Sequence, residues 1–78
     1  MNRIINKHGK YKIHCRNTGK VVLEKNYVNN LLHGSYIYYW GNGHIRFKGE
    51  FSKNRRIGIW KNYDKNGSLI LKEEYNYI

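Results

Sequence analysis

TGKVVLEKNYVNNLLHGSYIYYWGN (residues 18–42) is followed by NGHIRFKGEFSKNRRIGIWKNYDKN (42–66) and then by NGSLILKEEYNYI (66–78). Aligned on one another, the three segments share a period of 24 residues. It relates Gly19, Gly43 and Gly67, and likewise Tyr27, Phe51 and Tyr75. The same step carries Gly34 to Gly58, Tyr36 to Trp60, Tyr39 to Tyr63 and Asn42 to Asn66. So regular a period makes the chain an array of one small unit, and arrays of this kind present surfaces for holding something.

Each unit contains two strand-like runs. In the first, Val21, Leu23 and Tyr27 alternate with more polar neighbours, as do Ile45, Phe47 and Phe51, and Leu69, Leu71 and Tyr75. Alternation of period two is the mark of a half-buried strand. The second run, Tyr36 to Trp40 and Ile59 to Tyr63, is short, aromatic and β-prone. Asn42-Gly43 and Asn66-Gly67, with Thr18-Gly19 in the matching place, predict hairpins, because both residue types tolerate positive φ. NNLLHG and KNRRIG end on Gly34 and Gly58 and predict a longer turn closing on glycine. No run has helical periodicity. The expected fold is all-β: one domain over 1–78, a single curled antiparallel meander of about six strands. A cap at about 9–18 with degraded aromatic sites and one inserted residue precedes repeats at about 19–42 and 43–66 and a partial repeat at 67–78.

Parity sends Tyr36 and Trp60 to one face and Tyr39 and Tyr63 to the other. With twelve aromatics and no helix to cover them, the sheet must curl, self-associate or be completed by a partner. Tyr36, Tyr39, Trp60 and Tyr63 are read as core, and Tyr38, Trp40, Phe47 and Tyr77 as freer to make outside contacts.

Fifteen Lys and Arg against five acids give a formal charge of +10. That excess suits an acidic protein, nucleic acid or an anionic membrane surface. Arg46 and Lys48 alternate with Ile45 and Phe47 and so are expected on one face. Lys53, Arg55 and Arg56 follow in a turn, with Lys61 and Lys65 beyond. Read as function, this is a phosphate-tracking patch beside which Tyr36, Tyr38, Trp40 and Trp60 could stack bases, with Tyr38 and Trp40 as anchors. Read as architecture, the cations solvate a face and guard strand edges.

Chemistry has little support. His14 and Cys15 are adjacent in a strand and point apart, so a thiolate–imidazole couple is unfavourable, and Cys15 is expected as a buried structural thiol. His8, His14, His33 and His44 have no metal-ligand spacing, and the acids form no catalytic pair. No catalysis, metal or cofactor is therefore expected. One cysteine, no apolar leader and no long apolar run suit a cytoplasmic protein.

Gly34, Tyr36, Tyr39, Asn42, Gly43 and Phe51, then Gly58, Trp60, Tyr63, Asn66, Gly67 and Tyr75, form a pattern that resembles the MORN repeat. It is closest to the MORN-2 variant of bacterial and viral proteins, among them YwqK-type antitoxin-like members. The resemblance spans roughly residues 9–77 and implies a β-hairpin array for protein or lipid contact, without catalysis. With the charge, it gives the expected function: a small inhibitor or antitoxin-type protein that docks a basic aromatic sheet on a protein or protein–nucleic-acid target. Direct binding of RNA or single-stranded DNA and attachment to anionic membrane are the alternatives, and a homo-oligomer is compatible with each.

Overall fold

The computed structural model describes residues 6–76. The strands are β1 (Gly9–His14), β2 (Val21–Val28), β3 (Leu31–Leu32), β4 (Gly34–Tyr39), β5 (Ile45–Ser52), β6 (Arg55–Tyr63) and β7 (Leu69–Tyr75). They form one antiparallel sheet in the order β1-β2-β4-β5-β6-β7, with β3 paired to β2. This is the all-β meander that the repeat predicts. Its seventh strand arises because the register on β2 changes between the pairs Tyr27–Leu32 and Glu24–Ile37, which separates β3 from β4 at His33, whose N–H donates to the Asn26 carbonyl at 2.9 Å. The molecule measures 48 × 40 × 15 Å, a slab one sheet thick. No helix among the described residues is long and apolar enough to cross a membrane.

Two kinds of turn alternate along the slab. On one side, Asn29-Asn30 and Lys53-Asn54 form two-residue hairpins with φ of 49° and 70°, and of 47° and 69°. Two successive left-handed residues are the geometry that matches strand twist. The longer turns expected to close on Gly34 and Gly58 are thus replaced by tighter ones: asparagine, which enters the left-handed region readily, fills three of the four turn positions and Lys53 the other, so the glycines are not needed at the bend. Gly34 and Gly58 lie in strands, at φ 104° and 69°.

On the other side, Gly41-Asn42-Gly43 and Lys65-Asn66-Gly67 are three-residue loops rather than two-residue Asn-Gly hairpins. Trp40 N–H donates to His44 O at 2.8 Å and Gly43 N–H to Trp40 O at 3.0 Å. The same pair recurs between Asp64 and Ser68 (2.9 Å) and between Gly67 and Asp64 (3.1 Å). In the leading unit the equivalent bonds join Cys15 to Lys20 and Gly19 to Cys15 around one more residue. The inserted residue therefore falls in this turn. With it allowed for, Tyr11 occupies the place of Tyr36 and Trp60, so only one of the leading unit's aromatic sites, at His14, is degraded.

Asparagine side chains lock each unit to the one before. Asn30 Oδ1 accepts from Lys7 N–H at 2.6 Å, and Asn54 Oδ1 accepts from Leu32 N–H at 2.7 Å. The backbone returns the contact, Asn30 N–H to Lys7 O and Asn54 N–H to Leu32 O, both at 2.9 Å.

Directly paired residues share a face, so the register sorts the side chains. Tyr38 pairs with Phe47, Tyr36 with Gly49, and Phe51 with Arg56. Tyr36, Tyr38, Phe47, Phe51, Trp60 and Tyr75 make one aromatic face, joined by ring contacts of 5.1 to 6.4 Å. Trp60 is its centre and the one fully buried large side chain among the described residues, at 1% exposure. Its indole lies over Gly49, where an added Cβ would fall inside the ring system. Between the pairs Lys48–Lys61 and Glu50–Ile57, three β6 residues, Gly58 to Trp60, stand opposite Gly49 alone. That excess length lets Trp60 fold over the bare backbone, and its Nε1–H donates to Glu50 O at 3.2 Å. Of the four aromatics expected as core, Trp60 alone is fully buried, and Tyr36, Tyr39 and Tyr63 are half-buried.

Gly49→Ala is expected to lower the unfolding free energy by about 1–3 kcal/mol through overpacking against Trp60. Gly41→Ala, at a site open to solvent with an ordinary φ, should stay within about 0.5 kcal/mol of the wild type. Urea denaturation followed by tryptophan fluorescence measures both.

Candidate interaction surface

The residues singled out by charge separate into three places. Arg46 sits where the β4–β5 register shifts, between the pairs Tyr38–Phe47 and Tyr39–Ile45. This bulge turns it away from the face of Lys48 and onto the aromatic face. Its guanidinium lies 4.4 Å from the Trp40 ring centroid and 5.5 Å from that of Tyr38. Lys65 Nζ stands 5.6 Å from the Trp40 ring. Trp40 is held from behind, its Nε1–H donating to Tyr63 O at 3.0 Å, while Asn42 Nδ2 donates to Lys65 O at 2.7 Å. Beside this group a hollow of about 250 Å³ is lined by Cys15, Val21, Tyr38, Trp40 and Arg46, with Lys20 at its wall.

Lys48 and Lys61 occupy the opposite face, directly paired, and Lys61 is paired in turn with Lys72. Lys48 Nζ is 6.0 Å from the Tyr63 ring. With Ile37, Glu50 and Ile59, these two lysines border a shallow groove of about 560 Å³. The expectation that Arg46 and Lys48 share a face is therefore corrected: a strict alternation holds only where no bulge intervenes.

Arg56 lies on the aromatic face at its other end, 4.6 Å from the Trp60 ring and 5.6 Å from Tyr75, whose hydroxyl accepts from its Nη1 at 3.1 Å. It covers the buried indole, which gives it a packing role. Lys53 stands in the β5–β6 turn and Arg55 pairs with Ser52. One continuous patch is thus three groups, of which Arg46, Tyr38 and Trp40 are brought together. Lys65, expected at the far end of the basic patch, completes that group. Its place follows from the stacking of hairpins 40–44 and 64–68, which the 24-residue period contains but charge counting does not reveal. Tyr77 lies outside the described residues.

The polar groups elsewhere do structural work. Cys15 is half-exposed in a turn rather than buried. Hydrogen bonding from the Thr18 hydroxyl, then from the backbone of Thr18 and Asn17, holds its thiol below the usual range. Among the described residues no three His, Cys, Asp or Glu gather as metal ligands. On the face of Lys48, the Tyr39 hydroxyl donates to Glu24 Oε2, and Lys10 Nζ lies 3.9 Å from the other oxygen. That hydrogen bond, aided by partial burial and the carboxylate charge, pushes the Tyr39 hydroxyl up from 10.0 to about 12.

Comparison with protein-family models, with curated proteins and with solved structures found no match to this chain.

The folded state keeps the Tyr39 proton more tightly than the unfolded chain does, so this contact stabilises fully below pH 10 and progressively less as pH rises towards about 12. A spectrophotometric titration should show one late-ionising tyrosine, and Tyr39→Phe should remove that step together with the loss of stability across the same window.

Proposed function

We propose that the protein is a non-enzymatic interaction module of the inhibitor or antitoxin type, which holds an acidic macromolecular surface against its aromatic face. The observation that carries this reading is the group formed by Arg46, Trp40, Tyr38 and Lys65. Cation–π contacts at exposed sites are each worth only about 0.5–1 kcal/mol, so fold stability does not require two cations around one indole. They do fix the direction of the charges. A guanidinium held over a ring loses little further rotamer freedom when it meets a carboxylate, and its planar fork can bind both oxygens. Neighbouring Tyr38 and Trp40 provide rigid apolar area, as anchors of protein interfaces do.

The net charge of +10 then steers encounter with an acidic partner and disfavours basic ones. An inhibitor of this sign would not plug the cationic groove of a nuclease. It would dock on an acidic patch or on bound nucleic acid. The same stacking geometry favours single-stranded RNA or DNA as the second reading, with bases on Trp40 and phosphates at Arg46 and Lys65.

Affinity capture from nuclease-treated host extract should enrich a protein on the wild type and on Lys61→Glu. Arg46→Glu should reduce that enrichment by at least about tenfold, a loss near 1.4 kcal/mol, without moving the melting temperature. Equal capture by Arg46→Glu would exclude this face. A gel shift of unstructured RNA at micromolar protein, abolished by the same substitution, would transfer the assignment to nucleic acid.

A further inference from the structure

The two edges of the sheet are unlike strands of the same repeat. β1 belongs with β4 and β6 through an equivalent left-handed glycine: Gly9 (φ 95°) and Gly34 (104°) open β1 and β4, and Gly58 (69°) lies within β6. β7 belongs with β2 and β5, the alternating type. Inside the sheet, each strand of the alternating type lies against a following strand of the glycine type, β2 against β4 and β5 against β6. Among the described residues β7 lacks that follower, and β1 lacks the predecessor that would complete it. We propose that β7 of one copy pairs with β1 of a second copy, so that chains join head to tail and the array continues across the junction.

Both interior seams give the same register for this contact. On the β5–β6 seam Phe47 pairs with Asn62 and Lys48 with Lys61; on the β2–β4 seam Leu23 pairs with Tyr38 and Glu24 with Ile37. Carried along the repeat, with the extra residue of the first turn allowed for, each seam places Leu71 opposite Ile13 of the second copy and Lys72 opposite its Lys12. Tyr11 of the second copy then stands against Leu71 and Tyr75, the places equivalent to Phe47 and Phe51, between which Trp60 packs.

The exposed apolar side chains fall where this pairing needs them. Leu71 is 51% exposed and Ile70 63% on one edge, and Ile13 is 44% exposed on the other. Long edge strands with exposed apolar residues and no proline are templates for further pairing. The charges complement as well. β1 contributes Lys10 and Lys12 and no acid, whereas β7 carries Glu73 and Glu74, two of the five acids in the chain. Glu74 stands in the place of Glu50 and Lys10 in the place of Ile59, and those two border one groove. The junction therefore brings Glu74 beside Lys10 of the second copy. The pair Lys72–Lys12 repeats a like-charge pair that the sheet already accommodates at Lys48–Lys61.

Because the two edges differ, the contact is heterologous, and repetition builds chains rather than a closed pair unless the rotation closes a ring. The net charge opposes it, so association should strengthen as salt rises from about 0.05 M to about 0.5 M. Binding of a polyanion would show the opposite dependence.

Sedimentation velocity of the 78-residue protein across concentration and salt provides the test. The wild type should form species larger than a monomer that grow with protein and with salt. Leu71→Lys blocks the tail edge and Ile13→Lys the head edge, and both replace exposed side chains, so far-UV circular dichroism should be unchanged. Each variant alone should be monomeric, while their mixture should stop at a 1:1 dimer through the tail of Ile13→Lys and the head of Leu71→Lys. Glu74→Lys should weaken wild-type association several-fold. A wild type that stays monomeric under all conditions overturns the proposal, as does a dimer formed by either edge variant alone, which would mean like-edge pairing.

Discussion

Trp60 resting on the bare backbone of Gly49 is the contact on which the rest of the sheet depends. A single sheet has no second layer, so it can bury a large side chain only by folding it flat across its own strands. That manoeuvre needs a place without a Cβ. Only the second unit supplies one: the places equivalent to Gly49 in its neighbours are Lys25 and Glu73. Phe47, Phe51, Tyr36 and Tyr75 close around the indole because it lies low enough to meet their rings. The dry centre therefore sits across β4 to β7, and the first unit leans on it through Tyr36. Arg56 completes the enclosure from above.

The architecture was legible in the sequence because its signals are periodic and local. Glycines at fixed spacing, alternating Leu23, Phe47 and Leu71, and aromatics in common register require an antiparallel meander whatever the detailed bends. What escaped depends on cross-strand register. The bulge at Arg46 is a property of how β4 and β5 pair, since nothing in IRFKG marks it. The two-residue turns at Asn29 and Lys53 were hidden behind Gly34 and Gly58, which look like the better left-handed residues. Asparagine takes three of those four positions at modest cost, and at Asn30 and Asn54 its side chain accepts one hydrogen bond each from the preceding unit that glycine could not accept.

The candidate site was legible only in part for the same reason. Tyr38, Trp40 and Arg46 were chosen as residues the repeat leaves unexplained, and they do come together. Lys48, Lys61 and Arg56 were joined to them by nearness in sequence, and the pleat and the bulge part them. The separation divides the cations into two physical kinds. Arg46 and Arg56 lie over rings, where the weakly hydrated guanidinium is already placed. Lysines 48, 61 and 72 stand in line across three strands and repel one another. The first arrangement favours geometric recognition, the second long-range attraction that salt screens.

A repeat sheet one layer thick also separates its surfaces by direction. Its faces carry side chains, so their chemistry follows from substitutions within each unit and can differ from one array to another. Its edges carry backbone, so their chemistry follows from the repeat itself and changes little with sequence. In this chain the aromatic face departs most from the repeat at Tyr38, Trp40 and Arg46, whereas the edges keep to it at Tyr11 and Tyr75. Specific recognition is therefore to be sought on the face and extension of the array at the edges. The two need not compete, because pairing β7 to β1 leaves the group around Trp40, at the turn between the two middle strands β4 and β5, open to a partner.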